Sequence, residues 1–172
     1  MTTLALDLAT CTGFCHGPAD TGEVPTLGHV LLPKTGEDVG RFLIAWEEWL
    51  TAKVREVEPG LIIFEAPILA GMATPHVTRK LHALPGVTEM VSIRAGVECA
   101  ELYPVTVKKA LTGSGRADKA DMIRACRAYG FNPKNSDEAD AFGLWLHALR
   151  VRHPSQAWRW DPINFKPQGN AA

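Results

Sequence analysis

The feature that most restricts the fold is a short apolar strand with one carboxylate near its end. Residues 4–8 read Leu-Ala-Leu-Asp-Leu, and after a turn the chain resumes with Thr12-Gly13-Phe14-Cys15. A near-continuous apolar run is typical of a strand buried on both faces. A buried Asp is costly unless it is paired or binds a metal. Asp7 therefore either caps the following turn through the backbone or belongs to a functional site, and the strand alone leaves both open.

Composition predicts one globular domain. The chain has 172 residues, of which 46% are hydrophobic and 22% charged, which suffices for a sizeable core. The sequence shows no apolar run of membrane-spanning length and no basic, then apolar, leader, so we expect a cytoplasmic protein with no membrane partner. Its four cysteines contain no Cys-x-x-Cys pair, which favours reduced thiols over a structural zinc site. The net charge of −1 leaves room for a local basic face.

Periodicity and turn signals predict an α/β domain at residues 1–152 and an extended C-terminal tail at 153–172. The first three strands have short connections, which favours an antiparallel meander. Helix 37–57 then leads into strand 61–65, and such a crossover places that strand parallel to an earlier one. The predicted strands are 4–8, 12–15, 26–32, 61–65 and 97–103, and the predicted helices are 37–57, 77–84, 87–94, 105–111, 118–129 and 137–152. The two helices between residues 77 and 94 are separated at Pro85-Gly86.

Four acids distant along the chain are predicted to meet. Asp7 is on the first strand and Glu65 ends the fourth, so parallel neighbours would place them about 4.8 Å apart. Asp137 and Asp140 share one face of the first turn of the last helix. Acids in a first turn also stabilise a helix by themselves, which is the alternative interpretation of that pair.

Electrostatics indicates what such a cluster would do. Two like charges 4 Å apart repel by about 4 kcal/mol at an effective dielectric constant of 20. Converging carboxylates therefore take up protons or hold cations. Oxygen-only ligands suit Mg²⁺ or Mn²⁺, and two such ions can clamp the attacking and leaving oxygens of a phosphodiester.

The order of elements resembles the RNase H-like fold, here a five-stranded mixed sheet of three antiparallel and two parallel strands flanked by helices. Residues 103–119, Tyr-Pro-Val-Thr-Val-Lys-Lys-Ala-Leu-Thr-Gly-Ser-Gly-Arg-Ala-Asp-Lys, are similar to a segment of RuvC-type Holliday junction resolvases, in which a Pro-x-x-Val-Lys helix leads through Gly-x-Gly to Ala-x-Lys. Asp137-Glu-Ala-Asp-Ala resembles the closing acidic motif of that family. Asp7 and Glu65 correspond to its first two acids.

The resemblance implies a metal-dependent endonuclease that resolves Holliday junctions as a homodimer, with residues 77–94 at the interface. It implies four catalytic metal ligands, Asp7, Glu65, Asp137 and Asp140, around Mg²⁺, with Mn²⁺ as a substitute and two ions per site. Lys119 becomes a catalytic cation near the scissile phosphate. The implied DNA contacts are Lys108, Lys109, Arg116, Lys119, Ile68 and Leu69.

Other functions remain open at this point. A less selective nuclease for flaps, forks or packaging intermediates would use the same acids. A non-catalytic module that binds branched DNA is disfavoured, because four acids without metal would repel phosphate. An actin-like sugar kinase also begins with a strand Asp and a Thr-Gly hairpin, but 172 residues are too few for its two domains.

Overall fold

The structure, a computed structural model, describes residues 1–21, 23–67, 74–161 and 164. The strands are β1 (Thr2–Asp7), β2 (Cys11–Pro18), β3 (Thr26–Leu31), β4 (Leu61–Glu65) and β5 (Glu98–Leu102). The helices are α1 (Val39–Val57), α2 (Pro75–Ala95), α3 (Pro104–Thr112), α4 (Lys119–Ala128), α5 (Ser136–Arg152) and α6 (Pro154–Ala157), followed by a 3₁₀ turn at Trp158–Trp160. In these described ranges no helix has the length and apolar character needed to cross a membrane.

The five strands form one mixed sheet in the order β3-β2-β1-β4-β5. β1 pairs antiparallel with β2, and β2 pairs antiparallel with β3. β4 runs parallel to both β1 and β5. The predicted sheet of three antiparallel and two parallel strands is therefore confirmed.

Side chains alternate between two helical layers because successive strand residues point to opposite faces. Leu6 and Phe64 pack on the face covered by α1 and α2. Ala5 and Ile63 pack on the opposite face, against α3, α4 and α5. Helix α5 is the centre of that second layer, and Phe142, Trp145 and Leu149 of α5 are fully buried.

The predicted break at Pro85 is wrong, because α2 continues through it. A proline inside a helix costs about 3 kcal/mol. Burial of Leu84 and Val91 contributes about 1.5–3 kcal/mol each on the face that meets α1. The indole of Trp46 also donates to Thr88 Oγ1 at 3.1 Å. Packing against α1 therefore outweighs the local effect of the proline.

The predicted extended tail is wrong for residues 154–160, which are helical. The reason is the burial of Trp160, which is only 1% exposed. Its ring centroid lies 4.8 Å from that of Trp145 and 6.3 Å from that of Phe142. Residues 162–163 and 165–172 lie outside the described residues, and the division into a domain at 1–152 and a tail at 153–172 stays a prediction.

Gly13 allows α5 to approach the sheet. It pairs with Asp7 on β1 and with His29 on β3. A Cβ atom at Gly13 would lie 2.0 Å from the carbonyl oxygen of Asp137 and 2.8 Å from the amide nitrogen of Glu138. The first turn of α5 therefore rests directly on the backbone of β2, beside Asp7.

We predict that Gly13→Ala lowers the free energy of unfolding by more than about 2 kcal/mol, because the methyl group has to displace the α5 backbone. Urea denaturation measures the change. Gly40→Ala is the matched control: its added Cβ meets only Asp38 Oδ1, at 3.7 Å, in the first turn of α1, and we expect a gain of about 0.5–1 kcal/mol. Equal stability of Gly13→Ala and the parent protein would contradict this account.

Candidate metal centre

Asp7 and Glu65 end adjacent parallel strands and face the same helix. Leu6 and Phe64 are register partners, so Asp7 and Glu65 occupy the next position on each strand. Both acids share the face of Ala5 and Ile63, which is the face covered by α5. The strand spacing of about 4.8 Å places the two backbones side by side. The juxtaposition expected from the sequence is therefore present.

Helix α5 adds the other two acids from its first turn. Asn135 caps the helix by accepting from the amide of Glu138 at 2.9 Å. The carbonyl of Asp137 lies against Gly13, the register partner of Asp7. Asp140 lies one turn further along the same face. The negative charges of Asp137 and Asp140 both raise the pKa of Asp7, which shows that all three face one region.

The ionisation of Asp7, Glu65 and Asp140 is suppressed by burial and by neighbouring carboxylates. Burial first, then the charges of Asp140, Glu65 and Asp137, raise the pKa of Asp7 well above its ordinary value. Burial, together with Asp140, raises the pKa of Glu65 to about 7. Burial and Asp137 raise the pKa of Asp140 to about 6. Without a cation the cluster is therefore partly protonated near neutral pH.

The donor chemistry of the cluster fits a hard divalent cation. Its four members are carboxylates, the ligands that Mg²⁺ and Mn²⁺ accept. The positive charge of an ion would offset the burial and the repulsion that raise the pKa values of Asp7, Glu65 and Asp140. In the described part of the chain, no three His, Cys, Asp or Glu side chains already stand in a metal-binding arrangement. The acids are electrostatic neighbours, and a bound ion would have to draw their oxygens together.

Two lysines border the acids. Lys119 is the first residue of α4, whose N-cap is Asp118 in a capping box with Asp121. The charge of Lys119 lowers the pKa of Asp7 and of Asp140. Lys108 on α3 lowers the pKa of Asp140 and of Glu65. The middle of α3 and the first turn of α4 therefore bring positive charge to the acidic cluster.

For the remaining predicted DNA contacts, the structure gives at most the position in the fold and the exposure of the side chain. Lys109 is exposed on α3, and Arg116 is exposed in the turn that joins α3 to α4. Ile68 and Leu69 lie outside the described residues. Their assignment as DNA contacts stays a prediction.

Two residues beside the acids were missed from the sequence. Glu138 is only 4% exposed and lies between Asp137 and Asp140 in the chain. Its Oε1 lies 2.7 Å from Nδ1 of His29 on β3. An acid in the first turn of an otherwise apolar helix was the available signal for Glu138. For His29, which is 109 positions away in the chain, the sequence contains no signal of this contact.

The sheet order, the helices on both faces and the acids at the carboxyl ends of β1 and β4 define an RNase H-like fold with a candidate metal centre. No protein-family model matches the chain. Comparisons with individual proteins are more specific.

The chain is 38% identical over 104 residues to a crossover junction endodeoxyribonuclease RuvC from Anaeromyxobacter sp. (strain K), covering 60% of this chain and 54% of that protein. It is 35% identical over 136 residues to the RuvC of Anaeromyxobacter dehalogenans (strain 2CP-1 / ATCC BAA-258), covering 78% of this chain and 64% of that protein. The chain therefore spans less than two thirds of either relative.

Among solved structures, Thermus thermophilus RuvC in complex with a Holliday junction substrate matches with a TM-score of 0.74 at 19% identity, covering 90% of this chain and 97% of that chain. The two sequence matches identify this chain as a relative of the RuvC proteins, and the structural match shows that it shares their fold. The resemblance predicted from residues 103–119 and the acidic motifs is thus confirmed.

We predict that Glu65→Gln stabilises the metal-free protein by an amount that grows between pH 4.5 and about 7. The pKa of Glu65 is about 7 in the fold against an ordinary 4.5, so in this range the unfolded chain releases a proton that the native state keeps. Stability of the parent therefore falls as pH rises, and glutamine removes this contribution, on the order of 1–3 kcal/mol. Thermal denaturation in EDTA across this range measures it, and a pH-independent difference would contradict the burial of Glu65.

Proposed function

We propose that the chain is a metal-dependent endonuclease that cuts branched DNA, most specifically by resolving four-way junctions through paired symmetric nicks. The observation that carries the proposal is the meeting of Asp7, Glu65, Asp137 and Asp140 at one sheet edge beside two lysines. The kinship with RuvC proteins supports it.

The proposed roles follow from charge and position. Asp7, Glu65, Asp137 and Asp140 hold Mg²⁺, or Mn²⁺ as a substitute, because their mutual repulsion disfavours the fully ionised cluster without a cation. A pair of such ions, when bound, supplies Lewis-acid polarisation of the phosphate and an activated water. Lys119 lies where its charge reaches Asp7 and Asp140, so it holds the scissile phosphate and balances the charge that develops there.

A basic surface next to the acids supports DNA binding. Lys108, Lys109 and Arg116 lie on α3 and on the turn that follows it, where they can neutralise backbone phosphates on either side of the cut. Phosphate contacts supply most affinity that does not depend on sequence. Ile68 and Leu69, which follow β4 in the chain, complete the proposed contact set.

A homodimer is the proposed active assembly, since two symmetric cuts require two symmetric centres. Helix α2 is the proposed interface, and Ile93 on that helix is 79% exposed, an unusual position for so large an apolar side chain. A bacterial or phage-infected cytoplasm is the compartment we propose, because the matched relatives are bacterial.

We predict that the protein nicks a synthetic four-way junction in Mg²⁺ and that Asp7→Asn lowers the rate by about 10²-fold or more. Loss of a ligand removes several kcal/mol of charge stabilisation, at 1.36 kcal/mol per tenfold. Gel analysis of end-labelled strands measures the cuts, with Glu48→Gln on the exposed side of α1 as control.

Substrate competition separates the alternatives. Equal cutting of junctions, flaps and forks would favour the less selective nuclease of the same fold. Tight junction binding without cuts in either metal would favour a non-catalytic module, and an Asp7→Asn variant as active as the parent would overturn the assigned centre.

We predict that Lys119→Gln lowers the single-turnover rate at saturating junction on the order of 10²-fold, because it removes a cation from the reacting phosphate. Junction affinity should change little. Arg124→Gln is the matched control, since Arg124 is exposed and paired with Asp121 on the outer side of α4. A Lys119→Gln variant that loses affinity but keeps its rate would instead make Lys119 a backbone contact.

A further inference from the structure

We propose that His29 and Glu138 are positioning residues for the metal centre: their contact holds the first turn of α5 so that Asp137 and Asp140 face Asp7. The inference rests on the proposed function, because it concerns how the same centre is assembled. Neither residue is proposed to touch metal or DNA.

Both carboxylate oxygens of Glu138 accept hydrogen bonds. Oε1 accepts from Nδ1 of His29 at 2.7 Å, and Oε2 accepts from the backbone amide of Lys134 at 2.7 Å. The backbone amide of Glu138 donates to Asn135 Oδ1. The side chain is buried, so these partners replace the water that a carboxylate would otherwise need.

The position of His29 on the sheet explains what the contact controls. Gly13 pairs with Asp7 on one side and with His29 on the other, so these three residues form a row across β1, β2 and β3. The first turn of α5 lies over this row. Its Asp137 carbonyl rests on Gly13, while Glu138 reaches outward to His29.

This arrangement fixes the orientation of the first turn of α5. Buried side chains such as Phe142 and Trp145 orient the body of the helix, and the contact at Gly13 sets how closely its first turn approaches the sheet. The hydrogen bond from His29 adds a second point, on the side away from Asp7. Asp137 and Asp140, on either side of Glu138 in the chain, then point toward Asp7 and Glu65.

The hydrogen bond between His29 and Glu138 is expected to influence metal affinity. A hydrogen bond to a charged group is stronger than one between neutral groups, and removing one partner leaves a buried oxygen unsatisfied. Residues that orient metal ligands without touching the metal typically change metal affinity by about 10- to 100-fold when substituted. If the contact only stabilised the fold, its removal would lower the stability of the protein without this change in metal affinity.

The test compares two amide substitutions in the full chain, free of DNA. In His29→Asn the amide nitrogen takes the place of Nδ1 and keeps the donor to Glu138, whereas in His29→Gln it lies nearer the place of Nε2. Mn²⁺ affinity is measured by electron paramagnetic resonance of the free ion. We expect His29→Asn to bind within about 3-fold of the parent and His29→Gln to bind at least about 10-fold more weakly.

His16→Ala is the matched control, because His16 lies on β2 but on the opposite face of the sheet, stacked on Phe14. It should bind Mn²⁺ like the parent. Circular dichroism and thermal denaturation identify any variant that is unfolded at the assay temperature. A His29→Ala variant supplemented with free imidazole adds a second route, since a cavity of about 370 Å³ borders His29 and can admit the ring.

The outcomes separate the two proposals. Folded His29→Gln that binds Mn²⁺ as tightly as His29→Asn and the parent would overturn the positioning role while leaving the centre intact. A parent protein whose Mn²⁺ binding is unaffected by Asp7→Asn would overturn the proposed centre itself. Restoration of Mn²⁺ affinity in His29→Ala by imidazole, and not by an equal concentration of 1-methylimidazole at a pH where that ring is neutral and has no N–H, would support the donor role of Nδ1.

Discussion

Mutual repulsion among carboxylates at one edge of the sheet is the constraint on which the rest of this structure depends. Two carboxylates 4 Å apart would repel by about 4 kcal/mol at an effective dielectric constant of 20, and burial adds to the cost of ionising them. The acids cannot move apart easily. Strand pairing fixes Asp7 and Glu65, and the contact of α5 with Gly13 fixes Asp137. Burial and the closeness of the other carboxylates raise the pKa values of Asp7, Glu65 and Asp140.

The confinement is sustained by the hydrophobic layer behind it. The fully buried part of α5 begins directly after the acidic turn and packs on β1, β2 and α3. Burial of Phe142, Leu144 and Trp145 stabilises by about 1.5–3 kcal/mol each. Helix α5 therefore provides two of the four acids and also apolar contacts that outweigh their repulsion. The acidic cluster and the stability of the fold are coupled through this helix.

Most of the fold follows from local signals, and the departures have identifiable causes. Strand β4 was predicted with its observed bounds, because Pro59-Gly60 and Pro67 delimit an apolar run. The continuity of α2 through Pro85 depends on packing against α1, which no local signal contains. The same limit applies to the site. A strand Asp, a strand Glu and a helix Asp-x-x-Asp are visible in the sequence, but the His29–Glu138 contact joins positions 109 apart.

A net charge of −1 is compatible with the proposed DNA binding because opposite charges occupy different parts of the surface. Four of the 19 acids are gathered in one cluster, where protons or cations offset their charge. Lys108 and Lys119 stand at the border of that cluster and lower the pKa of Asp140 from two helices. A phosphate that approaches this edge therefore meets lysines first, and the acids repel it only if they carry neither ion nor proton. Under the proposed function, metal binding would decide whether this edge repels or holds a phosphodiester, and one equilibrium would govern both the electrostatics of DNA binding and the chemistry of the cut.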